Sequence, residues 1–408
     1  MLAAMKTTML CAALLSLALA AQARDDALFD AATAEQPAVL KTLERLVAIE
    51  TGTGTADGMA AMADLLESEL VAVGATVTRH KAVGPVVGEN IVGRIAGGGG
   101  RKLLLIAHMD TVYPKGTLAK APFHVEGNLA YGPGIADDKS GLAVVLHTLR
   151  LLKALKRQDF GALTVMFNTD EERGSRGSRE LITSLAREAD AVFSFEPTGI
   201  RESLTLGTSG IAYVAATIKG RASHAGAAPE LGVNALVEAA DLVLRTQDID
   251  DKARGVRFHW TIVRSGQVPN IIPDEATLQA DMRYARNEDF DAVKARLEAA
   301  LRAKRLPEAE LQLHMEHGRP AFDAGPAGRV LVERAAAIYR EVGGTLELVD
   351  RTGGGTDAAY AAQSGTPVIE SLGLPGFGYH SNQAEYVRID AIPRRLYLAA
   401  RMIAEFGR

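Results

Sequence analysis

Cysteine is nearly missing: the 408 residues contain one, Cys11. It falls in an N-terminal stretch expected to be removed, so the rest of the chain has no disulfide and no thiol nucleophile. Such a chain relies on its core and on any bound metal. A surplus of one charge is also missing. Lys and Arg number 45 against 50 Asp and Glu, a formal net charge of −5. No basic run or aromatic–basic stripe interrupts that balance, which excludes nucleic acid as an expected partner. There is no internal repeat and no low-complexity tract. The glycines of "RTGGGTDAAY", Arg351–Tyr360, let backbone approach a substrate or a metal loop closely. They are not a P-loop, because no Lys-Ser/Thr follows. The run "AGGGG" at 96–100 reads as a turn between strands.

What is present begins with a leader. Residues 1–23 carry one positive charge, Lys6, then an apolar stretch from Met9 to Ala21, and end in Ala21-Gln22-Ala23. This is the pattern of a cleavable signal peptide, cut after Ala23 to leave Arg24, and it predicts a periplasmic or secreted protein. The apolar part is too short for a spanning anchor, so no membrane association is expected after cleavage.

From Leu28 to Gly207 strand and helix alternate, with "KLLLIAHMD", "LTVMFNTD" and "AVFSFEP" as buried strands and "SGLAVVLHTLRLLKAL" as a helix between them. That alternation implies an α/β sheet covered on both faces. From Thr208 to Pro320 the order becomes βαββαβ, a split-βαβ unit, and the α/β texture resumes at Phe322. A compact unit inserted in a larger domain follows. The expected division is 1–23 signal peptide, 24–207 and 321–408 the two parts of a catalytic domain, and 208–320 an inserted α+β module.

Five segments put metal-type ligands just after buried strands or in glycine-rich loops. They contain His108 with Asp110, Asp137 with Asp138, the triplet Asp170-Glu171-Glu172, Glu196, and His380. Each has an ordinary explanation: a packed histidine, a helix N-cap, a solvated acidic face, a loop charge. Their convergence changes the reading. Residues at the carboxyl ends of strands in an open α/β sheet gather in one crevice. Two histidines among several carboxylates suit zinc. A divalent cation would also favour ionised carboxylates that otherwise raise one another's pKa.

The segments "HMDTVY", "YGPGIADDK", "FNTDEE", "ASHAGAAPELGVNALVEA", "DMRYARNEDFDA", "RTGGGTDAAYAA" and "ESLGLPGFGYHS" carry a resemblance over nearly the whole mature chain. The sequence resembles the zinc aminoacylase and carboxypeptidase family of co-catalytic metallopeptidases, and within it the exported bacterial glutamate carboxypeptidases that act on folates. The resemblance implies a zinc-exopeptidase-like catalytic domain whose inserted module serves as lid and dimerisation domain. It implies two Zn2+ per subunit: His108 and Glu196 at one, Glu172 and His380 at the other, Asp137 bridging both through a cis Asp137–Asp138 peptide. Glu171 would be general base and acid, and Asp110 would hold the far nitrogen of His108. His224 would reach the partner subunit's active site in a homodimer and help hold the oxyanion. Asn270 and Arg283 would bind the substrate's terminal carboxylate, with Arg319 at the return crossing serving there or in hinge packing.

The segment "TGIRESLTLG" is one residue shorter than in those carboxypeptidases. It puts Ser203 and Arg201 where a substrate-side lysine is otherwise found, which weakens the inference about substrate preference. The expected activity is therefore hydrolysis of an amide or peptide bond to a C-terminal amino acid, glutamate of folate-type or N-acyl substrates first. N-acyl-amino-acid deacylation or dipeptide cleavage is the alternative within that chemistry. A periplasmic solute-binding protein is the non-enzymatic alternative, and the placement of Glu171 beside a complete ligand set argues against it.

Overall fold

The apolar runs form the centre of a six-stranded sheet. Lys102–His108 pairs in parallel with Ala162–Asn168 on one side and Ala191–Ser194 on the other, and Val368–Ile369 extends the parallel set. Leu103, Leu104, Leu105, Val165, Met166 and Phe193 are buried within these strands, as a sheet covered on both faces requires. The computed structural model describes residues 24–408; the expected signal peptide at 1–23 lies outside the described residues. Glu89–Ala96 and Thr76–Lys81 complete the sheet as an antiparallel edge. The sequence reading did not identify this edge. The outer strand reads "TVTRHK" and is nowhere fully buried, so it carries no apolar run to find.

Helices Asp26–Val47, Gly141–Ala154 and Ile392–Phe406 pack on one another, and the middle one lies on strand Lys102–His108. The Asp25 carboxylate accepts the Leu28 N–H and opens the first. Val144, Val145, Leu146, Leu149 and Leu152 of the second are buried. Among the described residues no helix is long and apolar enough to cross a membrane.

The βαββαβ segment folds as expected. Its four antiparallel strands run in the order Arg257–Ser265, Glu275–Tyr284, Gly210–Lys219, Glu310–Arg319. Helices Ala235–Arg245 and Glu288–Arg302 bury Leu242, Phe290 and Leu297 in cores separate from that of the large sheet. Asn234 caps the first of these helices, accepting from the N–H groups of Leu236 and Val237. The chain's two crossings run together, with Gly207–Thr208 pairing antiparallel with Phe322–Asp323. The molecule is thus an α/β domain carrying an inserted α+β module.

Candidate metal centre

The parallel strands end on one side, and the chemistry starts there. His108 is the last residue of its strand; Glu171 and Glu172 follow Ala162–Asn168; Glu196 follows Ala191–Ser194; Glu370 directly follows Val368–Ile369. Asp137 stands on the tight turn Ile135–Ser140 that leads into helix Gly141–Ala154, and its peptide to Asp138 is cis. Glycine is required at 141, where a Cβ would meet Asp138 Oδ1 at 2.3 Å and the Phe195 carbonyl at 2.4 Å.

Asp137 faces both histidines. Its Oδ1 lies 3.0 Å from His108 Nε2 and its Oδ2 lies 3.4 Å from His380 Nε2. Glu196 Oε2 is 3.8 Å from His108 Nε2, and Glu172 Oε2 is 3.0 Å from His380 Nε2. Donor atoms of His108, Glu171 and Glu196 lie within 4.8 Å of one another, as do those of Asp137, Glu172 and His380. The far nitrogen of His108 is 3.0 Å from the Asp110 carbonyl and 3.4 Å from its carboxylate. The Asp110 carboxylate also accepts the backbone N–H of Glu171 at 3.0 Å and of Glu172 at 3.2 Å. It therefore ties one histidine to the neighbouring strand's acidic turn.

These residues fit a pair of divalent cations. The donors are imidazole nitrogens and carboxylate oxygens. Glu172 Oε1 is buried without a hydrogen-bond partner, an arrangement that costs free energy unless something positive meets it. The protonation preferences agree. Burial, with the charge of Asp137, pushes Glu172 up to about 8, and burial pushes Glu196 well above the usual carboxylate range. Hydrogen bonds that the His380 ring donates to the Asp137 and Glu172 carboxylates push it up to about 11. Burial works against the His108 imidazolium, but the carboxylates around it, Glu196 foremost, hold it well above its ordinary value. Without cations, the crowded carboxylates and imidazoles favour protonation, the preference expected of groups arranged around positive charge.

The cleft beside these groups has a volume of about 590 Å³, and its lining includes Arg201, Ser203, Thr352 and Tyr379. None of its lining comes from the four-stranded lid sheet. His224 and Asn270 sit together on exposed lid backbone, with the Ala225 N–H bonded to the Asn270 carbonyl at 2.9 Å. Arg283 lies on a lid strand, beside Asp281 and the Gly353 carbonyl. Arg319 is buried and turned into the catalytic domain, where its guanidinium pairs with the Glu171 carboxylate and carbonyl. Arg201 pairs with Glu347 at the rim, 3.1 Å away.

Sequence reasoning missed two buried carboxylates next to the centre. Asp357 accepts from Asn168 at 2.6 Å and bonds the Ser175 hydroxyl; Glu370 accepts from Thr356 at 3.1 Å. Burial pushes each up to about 7. Glu370 follows a two-residue strand, Val368–Ile369, too short to read, and Asp357 follows glycines that drew attention to backbone instead.

The sequence profile of peptidase family M20/M25/M40 matches residues 104–405. The chain is 66% identical to Carboxypeptidase G2 of Pseudomonas sp. (strain RS-16) over 388 residues, 95% of this chain and 94% of that one. Among solved structures, aminopeptidase PepT from Bacillus cereus superposes with a TM-score of 0.77 at 23% identity, covering 91% of this chain and 99% of that one. The YXEP protein of Bacillus subtilis, described as a dinuclear metal-binding peptidase, gives 0.69 at 15% identity, covering 92% and 99%.

Proposed function

Since the chain belongs to peptidase family M20/M25/M40 and is a hydrolase of the metallopeptidase type, we propose that it is a dizinc exopeptidase that cuts the amide to a C-terminal amino acid, glutamate first. The observation that carries this reading is Asp137, with one carboxylate oxygen toward each of two histidines and Glu171 alongside. The 66% identity to Carboxypeptidase G2 supports the choice of a C-terminal residue.

Two zinc ions held there supply Lewis acidity to the scissile carbonyl and the attacking water. His108 and Glu196 would hold one, Glu172 and His380 the other, and Asp137, with one oxygen toward each histidine, would serve both. Asp110 keeps the His108 proton on the far nitrogen, so that Nε2 presents its lone pair. Glu171 takes a proton from the water and returns it to the leaving nitrogen. Arg319, engaged by Glu171, is assigned to holding that base, while Asn270 and Arg283 keep the substrate's carboxylate. The zinc-loaded protein should release glutamate from folate and methotrexate faster than it cleaves N-acetyl amino acids, followed chromatographically. Faster turnover of the N-acetyl series would favour the deacylase, and ligand binding without cleavage would favour a solute-binding protein.

Export and dimerisation belong to the same reading. The lid presents a free edge strand, Arg257–Ser265, with Val263 57% exposed, near helix Ala235–Arg245 with Leu244 65% exposed. An apolar edge of this kind invites a second copy. It would place His224, which meets no metal ligand of its own subunit, against the partner's site. The double variant Leu244→Glu/Val263→Glu should sediment as a monomer and lose at least about a hundredfold in kcat, the loss typical of one oxyanion donor. A monomer with full activity would exclude the cross-subunit role of His224.

A further inference from the structure

The loop that carries His380 also carries Glu385, and it reaches Asp137 from behind. Strand Tyr386–Arg388 pairs antiparallel with Leu129–Tyr131, Tyr386 opposite Tyr131. This pairing lays the end of the His380 loop along the turn that leads to Asp137, and the Gly132 N–H bonds the Glu385 carbonyl at 3.2 Å. The Glu385 side chain is buried, with the residue 4% exposed. Its Oε1 accepts the backbone N–H of Ala136 at 2.8 Å and of Asp137 at 2.9 Å. Its Oε2 accepts the Gly134 N–H at 2.8 Å, and the Tyr113 side chain lies close to the same carboxylate.

Three charge-assisted bonds to consecutive-turn amides are strong and directional. Without the carboxylate, three buried donors would lack partners. One of them is the N–H of Asp137 itself, so the acceptor fixes the backbone from which the two-sided carboxylate projects. We infer that Glu385 is the positioning residue of the bridging carboxylate: it holds the Gly134–Asp137 turn so that Asp137 presents one oxygen to His108 and the other to His380. The inference rests on the two-cation reading above. It also explains why His380 and Glu385 share a loop. One segment supplies a ligand to the second cation and sets the ligand common to both.

Glu385→Gln keeps the shape but turns an NH2 group toward either the Gly134 N–H and Tyr113 or the Ala136 and Asp137 N–H pair. Zinc affinity, measured by chelator competition, should fall at least about tenfold, the usual effect of removing a ligand's outer support. At saturating zinc kcat should fall while KM stays within about threefold. A purely structural role would lower the melting temperature of the zinc-free chain and leave zinc affinity unmoved. Affinity within twofold of wild type overturns the inference, whatever the melting temperature does. If the wild-type chain itself takes up fewer than two equivalents, the two-cation reading fails instead. Should E385Q not fold, E385D, which keeps the charge and withdraws it by one methylene, is measured against the same two outcomes.

Discussion

Glu171→Gln should retain two equivalents of zinc and lose at least about a hundredfold in kcat, the lower end of what positioned proton transfer contributes. The expectation follows from where the side chain is held. Its backbone N–H is fixed by Asp110, and its carboxylate is buried against Arg319. The Asp137, Glu172 and His380 donors meet without it, and although it stands in the other cluster, His108 there still faces Asp137 and Glu196. Glutamine still accepts from Arg319 through its amide oxygen, so the fold and the cleft should survive. Only basicity is removed. Turnover near that of the wild type, with metal content verified, would take Glu171 out of the mechanism.

Stripping the metal should abolish turnover and give the protein a steeper dependence of stability on pH than the loaded protein has. Glu172 is pushed up to about 8 and His380 to about 11, while Asp357 and Glu370 reach about 7. All four folded values lie above the ordinary ones. From about pH 4.5 to 8 the folded metal-free chain therefore holds more protons than the unfolded chain, and its stability falls as pH rises. His147 and His317, which burial pulls below their ordinary value, act in the opposite direction inside that window but are fewer, and Lys139, which burial pulls down to about 8, does so above it. Zinc displaces the protons on its ligands, so loading should release acid into a weakly buffered solution and flatten the slope. Urea midpoints at pH 5 and pH 8, with and without zinc, make the comparison. A metal-free protein equally stable at both values, or zinc uptake without proton release, would contradict this account of the cluster.

How much of this could be read beforehand depended on periodicity. The buried strands announced themselves as apolar runs, and His108, Glu171, Glu172 and Glu196 were found because each stands where such a run stops. Asp137 and His380 follow no long strand; they were singled out in glycine-rich loops, and their roles came from the resemblance. The edge strand Thr76–Lys81 was illegible because its side chains are half solvated. The Arg319–Glu171 pair was illegible for a different reason. It joins a lid strand's last residue to a turn far away in sequence, and no local pattern encodes such a meeting. Glu385 was not singled out, because its partners are backbone amides, which leave no mark on residue identity.

The ligands run from His108 near the start of the chain to His380 near its end, and the closing strand pair Tyr386–Arg388 with Leu129–Tyr131 forms only when the last stretch of polypeptide has arrived. Contacts so distant in sequence are late events in folding. A nascent or C-terminally truncated chain, lacking His380 and Glu385, has no complete donor set at the second candidate cation site and leaves the Asp137 turn without its carboxylate acceptor. Capture of a second cation, on the two-cation reading, then waits for the segment that carries His380 and Glu385 to close on the Asp137 turn.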